Sequence, residues 1–97
     1  MAEAVYKVWK TRPTEAWYRL SKEARETHLA KMRAALEDVG GSSLLTCTSD
    51  WSSEAWRYFG IEFFPNTDAV KAYARRLHAL DHYRYFRSES TLGTKIE

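Results

Sequence analysis

Hydrophobic and polar positions change period several times along the chain, and each change marks an element. From Ala4 to Thr11 the apolar residues fall on both sides of an extended segment, with Tyr6 and Val8 pointing one way and Val5 and Trp9 the other. A strand of that kind is covered on both faces. Pro13 ends it, and Thr14 stands where it can cap a short turn, Glu15 to Leu20, ahead of a second cap at Ser21. From Lys22 to Val39 the period becomes helical: Ala24, His28, Leu29, Met32, Ala35, Leu36 and Val39 share one stripe. Gly40-Gly41 stops this helix, the first glycine being free to adopt the left-handed conformation after the last turn.

A β-prone run, Ser43 to Thr48, and a polar connection, Ser49 to Glu54, lead into the aromatic segment Trp56 to Phe64. Two strands joined so closely form a hairpin. Within Trp56 to Phe64, the residues Phe59, Ile61 and Phe63 fall on one face and are expected to receive the helices; Trp56, Tyr58, Gly60 and Glu62 fall on the other. Pro65-Asn66-Thr67-Asp68 breaks the strand and caps a second helix. That helix is expected to run unbroken from Ala69 to Tyr85, with Val70, Tyr73, Ala74, Leu77, Leu80 and Asp81 along one side. Arg87 to Gly93 reads as a last strand.

The order is strand, helix, strand, strand, helix, strand, which predicts a single ferredoxin-like α+β domain over residues 1–97: a split βαβ antiparallel sheet with two helices on one face. The other face is too apolar to be left in water. A second copy of the same sheet is its expected cover, which makes the chain a homodimer.

Composition narrows the partners. The chain has 97 residues, 44% of them hydrophobic, and an aromatic content of 14% that includes four Trp and six Tyr, so a pocket or interface rich in rings is expected beside the core. Fifteen basic and thirteen acidic residues are interspersed. The one short basic series, Lys71, Arg75 and Arg76, reads as a solvated helix face, so no nucleic-acid partner is expected. No apolar run approaches the roughly 20 residues of a membrane span, and the first ten residues hold no signal-type core, so a cytoplasmic protein with no membrane partner is expected. Cys47 stands alone, without an internal disulfide or a cysteine cage. No phosphate loop, nucleophile elbow, zinc spacing or dinucleotide fingerprint is present, and neither a metal nor a cofactor is expected.

Three residues are candidates for proton transfer. His28 lies inside the apolar stripe of the first helix, where it is either a partnered core histidine or a base in a pocket wall. His82 lies near the end of the second helix, four residues after His78, so on a continuous helix the two project from one side. Glu62 shares its strand face with Trp56 and Tyr58; in aromatic surroundings its pKa rises, and it either pairs with a cation across the dimer or takes part in proton transfer. Tyr6, Trp9, Trp56, Tyr58, Tyr73 and Tyr85 are the expected lining of a ligand site between the sheet and the two helices, open to a small hydrophobic molecule.

In length and element order the chain resembles the dimeric α+β barrel superfamily over essentially its whole extent. Glu15-Ala16-Trp17 ahead of the first helix and Tyr83-Arg84-Tyr85-Phe86 closing the second are similar to segments of small uncharacterised bacterial members. That resemblance implies one of three functions: a cofactor-free monooxygenase, isomerase or cyclase acting on an aromatic or polyketide-like molecule; a structural or stress-related protein; or a binder of haem or another planar ligand. Haem-binding relatives use a helix histidine with an Asn on the first strand and a Trp, and the first strand here has no Asn.

Overall fold

The computed structural model describes residues 3–97. Its elements are β1 (Val5–Pro13), α1 (Glu15–Tyr18), α2 (Lys22–Asp38), β2 (Ser42–Thr48), β3 (Tyr58–Phe64), α3 (Thr67–Ala79), α4 (His82–Tyr85) and β4 (Phe86–Gly93). The strands form one sheet in the order β2-β3-β1-β4, every neighbouring pair antiparallel. This is the ferredoxin-like arrangement expected from the element order.

Local chemistry fixes the boundaries. The Ser21 side chain accepts from the amide of Ala24 at 3.1 Å, and Asn66 accepts from that of Ala69 at 2.8 Å, so each long helix begins on a side-chain cap. Gly40 has φ 81°, its amide bonds to the Glu37 carbonyl and that of Gly41 to Leu36, both at 2.9 Å, which closes α2 on a left-handed glycine. Thr14 departs from expectation. Its hydroxyl makes no cap bond to α1 but donates to the Arg84 carbonyl at 2.7 Å, while its amide bonds to the Tyr85 carbonyl at 2.8 Å. The β1–α1 junction is thereby tied to α4.

The second helix is not continuous. Asp81 adopts φ 58° and ends α3 at Ala79, and the chain restarts as the single turn α4. Asp tolerates the left-handed region better than most residues, so no glycine is needed for the break. His78 and His82 therefore do not share a face: His78 is exposed and rests against the Tyr83 ring at 5.0 Å, and His82 is buried.

Register also reverses the expected faces of β3. Val5, Lys7, Trp9 and Thr11 pair with Phe64, Glu62, Gly60 and Tyr58, and this set lies beneath the helices. Tyr6, Val8 and Lys10 pair with Phe63, Ile61 and Phe59 on the outer side. Phe64 decides the matter, since it is fully buried, packs on Tyr73 at 5.6 Å between ring centroids and carries every second residue of β3 with it. β3 begins at Tyr58, so Trp56 lies in the preceding loop, where the Ser49 hydroxyl donates to its carbonyl.

The core gathers at one end of the sheet, with Val5 and Phe64 below and Ala35, Leu36, Ala69, Tyr73 and Leu77 above. At the other end the floor turns partly polar with Lys7, Thr11 and Glu62. There the layers part.

Candidate functional site

Where the layers part they enclose a half-open cavity of about 610 Å³. Its floor is the inner face of all four strands: Lys7, Trp9 and Thr11 from β1, Tyr58 and Glu62 from β3, Thr46 from β2, Ser88 and Ser90 from β4. Its roof is apolar and largely aromatic, built from Trp17, Leu29, Met32, Tyr73, Leu77 and Phe86, with His82 and Tyr83 from α4. A floor with hydroxyl and charged groups under a ring-lined roof suits a flat ligand with polar atoms on one side.

Gly60 shapes that floor. A Cβ there would stand 2.6 Å from Cζ2 and 2.8 Å from Cε2 of Trp9, so the missing side chain is the space in which the indole lies.

His82 owes its position to the break at Asp81, which turns the first residue of α4 inward. Its Nδ1 lies 3.0 Å from Nε2 of His28, and the two rings are parallel to within 1°. Around them Trp17, Tyr85 and Phe86 form an aromatic cluster, with Trp17 4.6 Å from Phe86 and Tyr85 5.2 Å from His28 between centroids. Burial holds His82 down to about 4, and His28 and Lys7 add to the shift. His28 is lowered by burial and then by Lys31. Both are therefore neutral at pH 7, and one nitrogen of the facing pair carries the shared proton.

Glu62 is half-buried opposite Lys7; burial raises its pKa and Lys7 only partly offsets this. Tyr73 is raised by burial, then by Glu62 and Tyr83, and Tyr83 by burial, then by Glu62. Both phenols keep their protons. The cavity thus joins a neutral imidazole on one side to a carboxyl, two phenols and the Lys7 cation on the other.

Of the residues singled out by sequence, Trp9, Tyr58, Glu62, Tyr73 and His82 line this cavity. His28 stands behind His82, with Tyr85 beside it on the far side. Tyr6 and Trp56 lie elsewhere. Tyr6 faces outward against Phe63 at 5.8 Å, because it has the opposite strand parity to Trp9, and Trp56 lies beside the Arg12 guanidinium in the loop. Lys7, Trp17, Met32, Tyr83 and Ser88 were not foreseen. The alternation Val5, Lys7, Trp9, Thr11 was the available signal for Lys7 once Trp9 was placed inside. Among the described residues no group of three or more His, Cys, Asp or Glu is placed to hold a metal, and no helix is long and apolar enough to cross a membrane.

Comparison with solved structures identifies the fold. A mutant chlorite dismutase from Candidatus Nitrospira defluvii matches with a TM-score of 0.77 and 10% identity over 100% of this chain. The chain spans only 42% of that protein. The methylated RPA0582 protein matches with a TM-score of 0.72 and 14% identity over 84% of its length, and RPA0582 of Rhodopseudomonas palustris, a protein of unknown function, with 0.67 and 13% over 85%. At such identities the likeness is one of fold, the ferredoxin-like α+β arrangement described above. No curated protein shows significant similarity to the chain. A family of unknown function, DUF6616, matches residues 3–97, and the chain belongs to it.

Proposed function

Starting from a DUF6616 member with a ferredoxin-like fold, we propose that the chain is a cofactor-free enzyme that binds a small, flat, mainly apolar molecule bearing a carbonyl or phenolic oxygen and moves a proton on it. Enolisation, isomerisation and cyclisation share that step. The observation that carries the reading is His82, a neutral imidazole in the wall of an aromatic cavity with its Nδ1 held 3.0 Å from a second imidazole. A neutral imidazole accepts a proton, while two protonated phenols donate to the oxygen on which negative charge develops. Tyr73 and Tyr83 are those donors, and Lys7 adds a positive charge beside them, opposite Glu62. A structural role without ligand predicts an interior filled to a few waters, and a cavity of about 610 Å³ supports the ligand-binding reading instead.

The test is deuterium incorporation at the α-carbon of 1-tetralone in D₂O, followed by proton NMR, with binding read from quenching of Trp9 and Trp17. The chain is expected to accelerate exchange over buffer, and Tyr83→Phe, which removes a donor to the developing oxyanion, to slow it by about tenfold. Binding without acceleration defeats the enzymatic reading. A second reading, haem or another planar ligand, is favoured by an imidazole whose other nitrogen is engaged, as in many axial ligands. The fit is partial, because among the described residues Lys7 is the single cationic one in the lining to meet acidic substituents. Haemin titrated in parallel decides: a Soret band lost in His82→Ala makes planar-ligand binding the function.

The assembly in this reading is a homodimer through the outer sheet face, where Tyr6, Val8, Leu45, Phe59, Ile61 and Phe63 make an apolar surface. Val8, Leu45 and Phe59 are 45%, 49% and 38% exposed in the single chain, too much apolar area on one face to leave in water. Sedimentation at micromolar concentration is expected to give twice the 11.3 kDa chain mass, and Phe59→Lys to give the monomer. A wild-type monomer would sink the dimer.

A further inference from the structure

Two spaces meet back to back across the helix layer. One is the ligand cavity, whose wall includes His82. The other is an outer cleft of about 510 Å³ between the start of α2 and the end of α3, with Ser21, Thr27, Lys31 and Leu80 around its mouth and His28 in its wall. The two imidazoles join these spaces, their rings parallel and Nε2 of His28 3.0 Å from Nδ1 of His82. The outer nitrogens, Nδ1 of His28 and Nε2 of His82, have no hydrogen bond to protein among the described residues. Neither is an occluded buried atom, a condition that falls on Trp9 Nε1. Each end of the pair therefore opens on its own space.

We infer that His28 and His82 form a two-imidazole relay that carries protons between the ligand cavity and the outer cleft. This rests on the proposed proton transfer at His82. In the outward pass a ligand C–H bond breaks and its proton binds Nε2 of His82, while the electron pair stays on the ligand as an enolate. The Nδ1 proton of His82 passes to Nε2 of His28, and the Nδ1 proton of His28 leaves to water in the outer cleft. Three N–H or O–H bonds form, one C–H and two N–H bonds break, and nothing is oxidised or reduced. The inward pass reverses each transfer, returns a solvent proton to the ligand and restores both tautomers.

Physical chemistry favours the hand-over above a stationary imidazolium. The pair sits among Trp17, Tyr85 and Phe86, where a positive charge is poorly solvated, and His82 would hold a second proton only below about pH 4. Passing one proton on as another arrives leaves both rings neutral. Lys31, at the outer cleft, disfavours positive charge on His28 and so favours release to water. Simple packing does not require this chemistry, since a phenyl ring would fill either place without burying polar nitrogens.

The experiment compares α-deuteration of 1-tetralone by wild type, His28→Phe and His28→Gln. Phenylalanine keeps the ring packing and removes the acceptor; glutamine keeps a hydrogen bond to His82 and cannot hand a proton on. Both variants are expected to bind 1-tetralone within about twofold of wild type and to exchange it at least tenfold more slowly, a loss of rate without loss of binding. Wild-type exchange retained by either folded variant overturns the relay alone. No acceleration by wild type overturns the proposed function and the relay with it. If neither variant folds, the ¹⁵N–¹⁵N scalar coupling across the His28–His82 hydrogen bond in wild type decides, and its absence overturns the relay.

Discussion

Gly60→Ala is expected to destabilise the protein by about 2 kcal/mol, within the usual range for overpacking, and to weaken 1-tetralone binding. The sign is the informative part. In an unconstrained strand an alanine replacing glycine stabilises, because glycine loses more backbone entropy on folding. Here the added Cβ meets the Leu45 carbonyl oxygen and two indole carbons of Trp9, Cζ2 at 2.6 Å and Cε2 at 2.8 Å. Leu45 is held in the β2–β3 ladder, with Thr46 opposite Gly60, so its carbonyl retreats only if that pairing opens. The indole then has to lift from the floor into the ligand space. Trp9→Leu combined with Gly60→Ala should therefore regain part of the lost stability, a coupling between the two sites that a chemical-denaturation cycle measures. A Gly60→Ala protein as stable as wild type would mean that the indole does not depend on the missing side chain.

The same position shows where the sequence was readable and where it was not. Element order, the Ser21 and Asn66 caps and the Gly40 stop followed from residue types with specific local hydrogen bonds or backbone freedom. The faces of β3 did not. Both parities of that strand carry aromatic residues, Tyr58 and Phe64 on one and Phe59 and Phe63 on the other, so hydrophobicity alone could not say which received the helices. Register with β1 settled it, and register is a long-range property. A glycine in an otherwise aromatic strand was a local hint toward a close approach from the helix side, but its meaning depended on Trp9, 51 positions away in sequence terms and its direct neighbour in the sheet.

Asp81 hid more. Nothing between Ala69 and Tyr85 is a glycine or proline, so periodicity ran through the break and paired His82 with His78. One left-handed residue dissolves that pair and makes another, between His82 and a residue 54 positions earlier. Both members of the new pair were visible as candidates, each for a separate role. Their contact needed the tertiary placement of α2 against α4, and with it Trp17, whose ring packs beside both His28 and Phe86.

That buried pair dictates how stability responds to acid. His82 has its pKa lowered from 6.5 to about 4 by burial first, then by His28 and Lys7. Between those values the unfolded chain binds a proton that the folded one refuses, so stability is fully present above pH 6.5 and falls as pH drops toward 4. The loss expected from His82 across that window is about 3 kcal/mol at most, and His28, lowered in the same direction, adds to it. Glu62 acts oppositely. Its folded pKa is raised above 4.5, so its burial penalty is relieved as the carboxyl protonates on acidification, and it masks part of the histidine effect. Urea denaturation at pH 7 and pH 4.5 should therefore show a loss in wild type, a steeper one in Glu62→Gln and a much shallower one in His82→Phe. If His82→Phe loses as much stability as wild type over the same interval, His82 is not the group whose protonation opens the fold.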